Sequence, residues 1–393
     1  MSNYIDIFNY VMETPGNTNP AVLMSLLKNQ GDLDFVEKKC NMEPITDLNV
    51  SASEIGDGAF AEDENLVTIT LPVATEIGSG ACVGCSNLTA VYAPVVVEIG
   101  SGAFMGDEEL VTAEFDEVVE IGSGAFEGCS KLVSTIFPKL TTIGDGAFSS
   151  DVALKDLYLP RLKTIGHGAF AGCTGLESVY APVAEYVGNQ SFQGCTSLKE
   201  VTMPSVTTFE NQSFAGCTSL TQITLPSLVT SGVYPFYNCT NLQEAYLPSL
   251  TYAGNLEVFN GNPSLQVVDL HSFPNVPNLS FKNCGALIDV DVSSATTIGI
   301  SAFYGCTSLR KLALPSATSI NEAAFSGCTK LNSLSLTGST MCALVDTNAF
   351  TGTPFASGVA FLIVPAALKA SYEADEKWAA LFTANPSITI LTV

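Results

Sequence analysis

Ile121-Gly-Ser-Gly-Ala-Phe-Glu-Gly-Cys129, followed by Leu132, is the clearest copy of a phrase that recurs along the whole 393-residue chain. Its aromatic falls at Phe104, Phe126, Phe148, Phe170, Phe192 and Phe214, each step being 22 residues (126 − 104 = 22). Phe60 and Cys82 hold the same slot before these, and Phe236, Phe259, Phe281, Phe303, Phe325 and Phe350 hold it after. A leucine-bearing unit of this length cannot bury its apolar face alone and must stack on its neighbours, so the period predicts a repeat solenoid of some fourteen rungs.

Each rung reads in the same order. In Leu154-Lys-Asp-Leu-Tyr-Leu-Pro160 the leucines at 154, 157 and 159 point inward and Asp156 and Tyr158 outward, as on a strand. A proline such as Pro160, Pro182 or Pro204 ends that strand, because it has no N–H for the ladder. A β-branched segment such as Thr141-Thr-Ile143 predicts a short second strand. The Gly-x-Gly-Ala-Phe-x-Gly-Cys portion reads as one turn of helix. Asp57, Asp145 or Asn211 stand as N-caps, and Gly128, Gly172, Asn238 or Asn283 as left-handed caps at its end.

The ends depart from the repeat. Residues 1–48 read as a helical cap or docking segment: Tyr4, Ile5, Phe8 and Val11 recur at helical spacing, and Asn19-Pro20 opens a second helix that Gly31 closes. Residues 49–358 form the solenoid, and residues 359–393 a strand–helix–strand cap with the single tryptophan, Trp378, packed inside. The fold class is therefore a leucine-rich-repeat-like solenoid, mostly β, with one-turn helices and terminal caps.

The run L-x-x-(V/I)-x-L-P, a short linker, then I-G-x-G-A-F-x-G-C-x-x-L resembles the BspA-like class of bacterial leucine-rich repeats over roughly residues 50–360. That resemblance implies a non-enzymatic surface or secreted protein that binds host matrix, cells or surfaces. The opening Tyr10-Val-Met-Glu-Thr-Pro-Gly-Asn-Thr-Asn-Pro is similar to short N-terminal segments of phage structural proteins, which implies a virion accessory protein as the alternative. Met1-Ser-Asn-Tyr-Ile-Asp shows no secretory pattern, so surface, virion and cytoplasmic locations are all carried forward.

Composition narrows the partners. Thirty-nine acidic residues against 15 basic ones give a net charge of −24, which repels phosphate backbones and anionic membranes. The longest apolar stretch, Val359–Leu368, is too short to span a bilayer and contains Pro365. The partner is expected to be a protein or glycan surface, with neither nucleic acid nor membrane insertion, and the N-terminal segment is carried forward as a candidate for assembly.

Candidate chemistry mostly dissolves into the repeat. Cys85, Cys129, Cys173, Cys195, Cys217 and Cys239 stand three residues after the aromatic slot, a spacing that aligns them into a thiol column. Small buried thiols filling a narrow column are expected there, with no metal or redox array. Asp63, Asp107 and Asp151 take the same slot in other rungs, so it is expected to tolerate a polar residue. Cys82-Val-Gly-Cys85 and the glycine loop Gly166–Gly172 are products of the repeat, not a thioredoxin or dinucleotide signature. Asp289 and Asp291 share a face, but an open sheet offers nothing to separate their pKa values as glycoside hydrolysis requires. The catalytic set is expected to be empty, as are metals and cofactors. What remains is the outward strand face, whose candidate contact residues are Tyr92, Glu114, Asp156, Tyr158, Tyr180, Glu200, Glu244, Tyr246, Asp269, Asp289 and Asp291.

Overall fold

The computed structural model describes residues 46–254 and 257–393. The helices expected over residues 1–48 lie, up to residue 45, outside the described residues, and with them the docking role. The chain divides into two compact units, Met1–Ala184 and Glu185–Val393.

In the first unit every rung contributes two parallel strands. Three-residue strands (Asp47–Asn49, Thr68–Thr70, Ala90–Tyr92, Thr112–Glu114, Ser134–Ile136) pair in sequence order, each with the next. The pairing restarts with Asp156–Tyr158 against Ser178–Tyr180. Two-residue strands from Glu54–Ile55 to Thr164–Ile165 form a second parallel sheet. The middle residue of a long strand points inward and its neighbours outward, as at Asp156–Tyr158, where Leu157 is buried between two exposed residues.

The second unit repeats this plan. Its long strands run through Gln222–Thr224, Glu244–Tyr246, Val267–Asp269 and Asp289–Asp291, then through Lys311–Ala313, Ser333–Ser335, Ala360–Val364 and Ile388–Thr392. The last two strands belong to the C-terminal cap, which is strand–helix–strand as the sequence predicts. Asp375 breaks the helical stretch and caps its second half, accepting from Lys377 N at 3.0 Å and Trp378 N at 3.1 Å. Trp378 is fully buried and donates from Nε1 to Cys342 O at 2.9 Å.

The Gly-Ala-Phe phrase is not a turn of α-helix. Its amides alternate: Ala125, Glu127 and Cys129 donate to the carbonyl three residues back, while Gly124, Phe126 and Gly128 donate to Asp145, Ala147 and Ser149 of the next rung at 2.7–2.9 Å. The segment thus works as a third inter-rung ladder. Gly128 does take the expected left-handed conformation, with φ at 78°. The expected N-caps act elsewhere, since Asp57, Asp145 and Asn211 accept the amides of Ser79, His167 and Val233, each one rung on. The first glycine of the phrase is steric in origin: a Cβ on Gly122 would meet Ser101 N at 2.6 Å.

The core is a column of stacked rings. Centroids of Phe104, Phe126, Phe148 and Phe170 follow one another at 5.2, 5.1 and 5.3 Å, all within 14° of parallel. In the second unit Phe192 and Phe214 stack at 4.9 Å, and the column continues through Phe236 and Phe259. Rung spacing sets ring spacing, so an aromatic at each 22nd residue packs face to face at little entropic cost.

Candidate functional site

Outward positions of the long strands are placed by the inward leucine or valine between them. In the first unit the register sets Thr70, Tyr92, Glu114 and Ile136 side by side on successive strands. Tyr158 pairs with Tyr180 in the following pair of strands. Their rings stack at 5.3 Å and 6° while remaining 64% and 41% exposed. Ile136 is 63% and Tyr92 46% exposed on the same column position. Ile136 was not among the residues singled out from the sequence, because an isoleucine at a strand position reads as core until the register shows which way it faces. Asp156 accepts from Ser178 Oγ at 2.5 Å beside the tyrosine pair.

In the second unit the outward face is acidic. Glu200 and Asp289 are exposed, whereas Glu244, Tyr246 and Asp269 are half-buried. Tyr246 donates to Glu244 Oε2 at 3.1 Å, and that hydrogen bond, with desolvation, raises the phenol above its ordinary pKa. Asp269 and Asp291 have a structural task. Where most rungs end the long strand with proline, these two carry His271 and Ser293, and the carboxylate two residues upstream accepts the amide at 3.0 and 2.9 Å. Burial pushes Asp291 up, but the hydrogen bonds of Ser293 and the neighbouring His271, whose Nδ1 is 3.4 Å from Oδ2, outweigh it and hold the carboxyl below its usual range. Asp291 is thus committed to the turn at Ser293 and to His271.

The cysteine slot is buried throughout and does more than fill space. Cys85, Cys129 and Cys173 point their thiols at the carbonyls of Phe60, Phe104 and Phe148 at 2.9–3.1 Å, and Cys217 and Cys239 do the same toward Phe192 and Phe214 at 3.1–3.2 Å. Cys195 is equally buried, and burial raises the Cys239 thiol to about 12. The Cys239 thiol therefore stays protonated at neutral pH. Among the described residues the cysteines are free, and no group of three His, Cys, Asp or Glu could hold a metal ion.

Aspartate in that slot is buried like the cysteines it replaces. Asp107 is fully buried; its Oδ1 accepts Cys85 N at 2.7 Å, and its Oδ2 has no partner among the described residues. Burial, and then Cys85, push its carboxyl up to about 9, so it is protonated at neutral pH. Asp151 is likewise pushed well above the usual carboxylate range by burial.

The BspA type leucine rich repeat region matches residues 53–177, 97–205, 163–288 and 275–357 in overlapping segments. A leucine-rich repeat protein from Bacteroides ovatus superposes with a TM-score of 0.58 at 22% identity, over 87% of this chain and 95% of its own. A leucine-rich repeat protein of T. pallidum is 31% identical over 42% of this chain and 82% of its own, with a TM-score of 0.38. One from Eubacterium ventriosum is 22% identical over 72% of this chain and 82% of its own, with a TM-score of 0.39. No curated protein matches the chain. These matches run over residues 53–357, well over half of the chain and the stretch that carries the stacked phenylalanines and thiol column, and the chain belongs to the BspA type leucine-rich repeats.

Proposed function

We propose that the protein is a non-catalytic recognition scaffold that binds protein surfaces through the long-strand face of its first unit. The observation that carries this reading is the stacked, exposed pair Tyr158–Tyr180 on the same outward strand position as exposed Ile136 and Tyr92. Aromatic side chains held rigid by the ladder beneath them lose little entropy on binding, and exposed tyrosine and isoleucine together supply the apolar centre of an interface. Glu114 and Asp156 form the polar surround and favour a partner with basic groups. Leucine-rich repeat proteins of this family are generally scaffolds, and its members are often cell-surface proteins. No helix among the described residues is long and apolar enough to cross a membrane. Display at a cell surface is the setting in which such a face meets host proteins.

The test is a panel of immobilised matrix proteins and cells, probed with the full chain and with the Ile136→Ser, Tyr158→Ser, Tyr180→Ser triple variant. Each truncated anchor is expected to cost about 2 kcal/mol of binding, so the triple variant should lose at least a hundredfold in affinity. Its far-UV circular dichroism should not change, since all three side chains are outside the core. Undiminished binding of the triple variant to a confirmed partner would remove this face from the account.

A further inference from the structure

In the second unit the sheet of short strands is interrupted. It runs from Tyr186–Val187 to Tyr252–Ala253, and a separate sheet begins at Asn275–Val276 and runs to Ala343–Leu344. The cause lies in two residues. In a regular rung, the residue before the short strand and the residue after it each donate an amide to the preceding rung. Thr251 N bonds Val229 O at 3.0 Å and Gly254 N bonds Ser231 O at 2.8 Å; Thr296 N and Gly299 N bond Pro274 O and Val276 O at 2.8 and 2.9 Å. In the interrupted rung the two donor positions are Pro274 and Pro277, which have no N–H. The carbonyls of Thr251 and Ala253 thereby lose the partners that Val229 and Ser231 have.

A cavity of about 430 Å³ opens at this seam. Phe273 and Val276, both buried, form its apolar floor, and Tyr252, 57% exposed, stands beside them. Asn275, Asn278 and Asn321 supply amides. Two of these are oriented by bonds to the frame: Asn278 Oδ1 accepts Ile300 N at 2.7 Å, and Asn321 Nδ2 donates to Ile298 O at 2.9 Å. None of the lining residues is charged, on a chain whose net charge is −24.

We propose that this groove is a binding site for a neutral saccharide, taking hexose units of an oligosaccharide. Carbonyl acceptors deprived of these two ladder donors suit a ligand rich in hydroxyl donors, and oriented amides offer both donor and acceptor groups to the same hydroxyls. The tyrosine ring provides an apolar platform for a sugar face. The acidic chain repels anions, and the uncharged lining offers no ion-pairing partner to hold a cation. A peptide strand fits poorly, because the exposed edge is a two-residue strand and β-augmentation needs a longer ladder. The volume is that of a small-ligand pocket. This site is independent of the tyrosine face of the first unit.

The experiment uses the full chain and saturation-transfer difference NMR with maltopentaose, mannotriose and N-acetylchitotriose, and with sialyllactose as the anionic control. Two variants accompany it: Tyr252→Ala, which removes the platform, and the double variant Pro274→Thr, Pro277→Gly, which restores the donors found at Thr251 and Gly254 and closes the seam. At least one neutral oligosaccharide is expected to bind, sialyllactose is not, and each variant should weaken binding by about tenfold or more. Ribonuclease B, which carries neutral mannose glycans, and the unglycosylated ribonuclease A distinguish the source. Binding of B but not A assigns the site to protein-borne glycans, and binding of free sugar alone assigns it to soluble ones. The proposal is overturned if no neutral sugar binds at concentrations up to about 10 mM, or if both variants bind as well as the parent. Equal binding of ribonuclease A and B, or of sialyllactose, overturns it too.

Discussion

Replacing Asp107 with cysteine should stabilise the first unit at neutral pH and flatten its pH dependence. Cysteine is the residue found in this slot one rung before and one rung after, at Cys85 and Cys129. The magnitude follows from the carboxyl's buried position. Its folded pKa is about 9, against about 3.9 in an unfolded chain, so the folded state holds the proton more tightly. The contribution to stability is therefore greatest below about pH 3.9 and falls by about 1.4 kcal/mol per pH unit as pH rises toward 9. At pH 7 the loss relative to acid is on the order of 4 kcal/mol. Cysteine avoids that loss but gives up the bond from Cys85 N, about 1 kcal/mol, leaving a net gain of about 3 kcal/mol at pH 7. Urea unfolding between pH 5.5 and 8.5, above the isoelectric point near 4.2, measures it. The midpoint of the parent should fall steeply across this range and that of Asp107→Cys less so, Asp151 supplying the remaining slope with the same sign. Parallel profiles for the two proteins would refute the assignment of a buried, protonated Asp107.

Phe126→Ala removes a ring stacked on both sides and should cost about 3–5 kcal/mol in urea unfolding. Gly122→Ala should cost more than Gly124→Ala: the first Cβ would collide with backbone at 2.6 Å, whereas the second meets the movable Glu127 carboxylate at 3.3 Å and the strain of φ near 62°, about 1–2 kcal/mol. Thermal melts of the two variants rank them. Asp375→Ala deletes the cap of the last helix and should lower stability by about 1 kcal/mol, read by the fluorescence of Trp378.

The aromatic column was legible because a side chain that recurs every 22 residues needs no knowledge of its neighbours to be placed. Tyr158 and Tyr180 were legible as outward strand residues for the same reason, and only the structure stacks them. Features that depend on what one rung does to another were not. Asp57 and Asp145 look like helix caps in the sequence, and only the stacked rungs show that they reach the amide of the following one. Asp107 looks like a tolerated polar variant until its burial and its half-satisfied carboxyl are seen together. Asp269 and Asp291 look like surface acids, and their link to His271 and Ser293 emerges only once those are recognised as standing where proline usually does. Pro274 and Pro277 were in plain view, but their effect requires knowing that those two amides are ladder donors.

Alternate amides of the Gly-Ala-Phe turn point forward to the next rung, as Phe126 N does to Ala147 O, while those beside the short strands point back, as Gly144 N does to Ile121 O. Peptide dipoles along the stack therefore largely cancel, unlike those of an α-helix, whose ends gain partial charge as aligned units add up. Adding or deleting a 22-residue copy brings hydrogen bonds and buried rings without building a field at either end. Peptide dipoles therefore set no preferred number of copies, so gene duplication can lengthen or shorten such an array without meeting a dipole penalty, and its length is left to be decided by what it must reach.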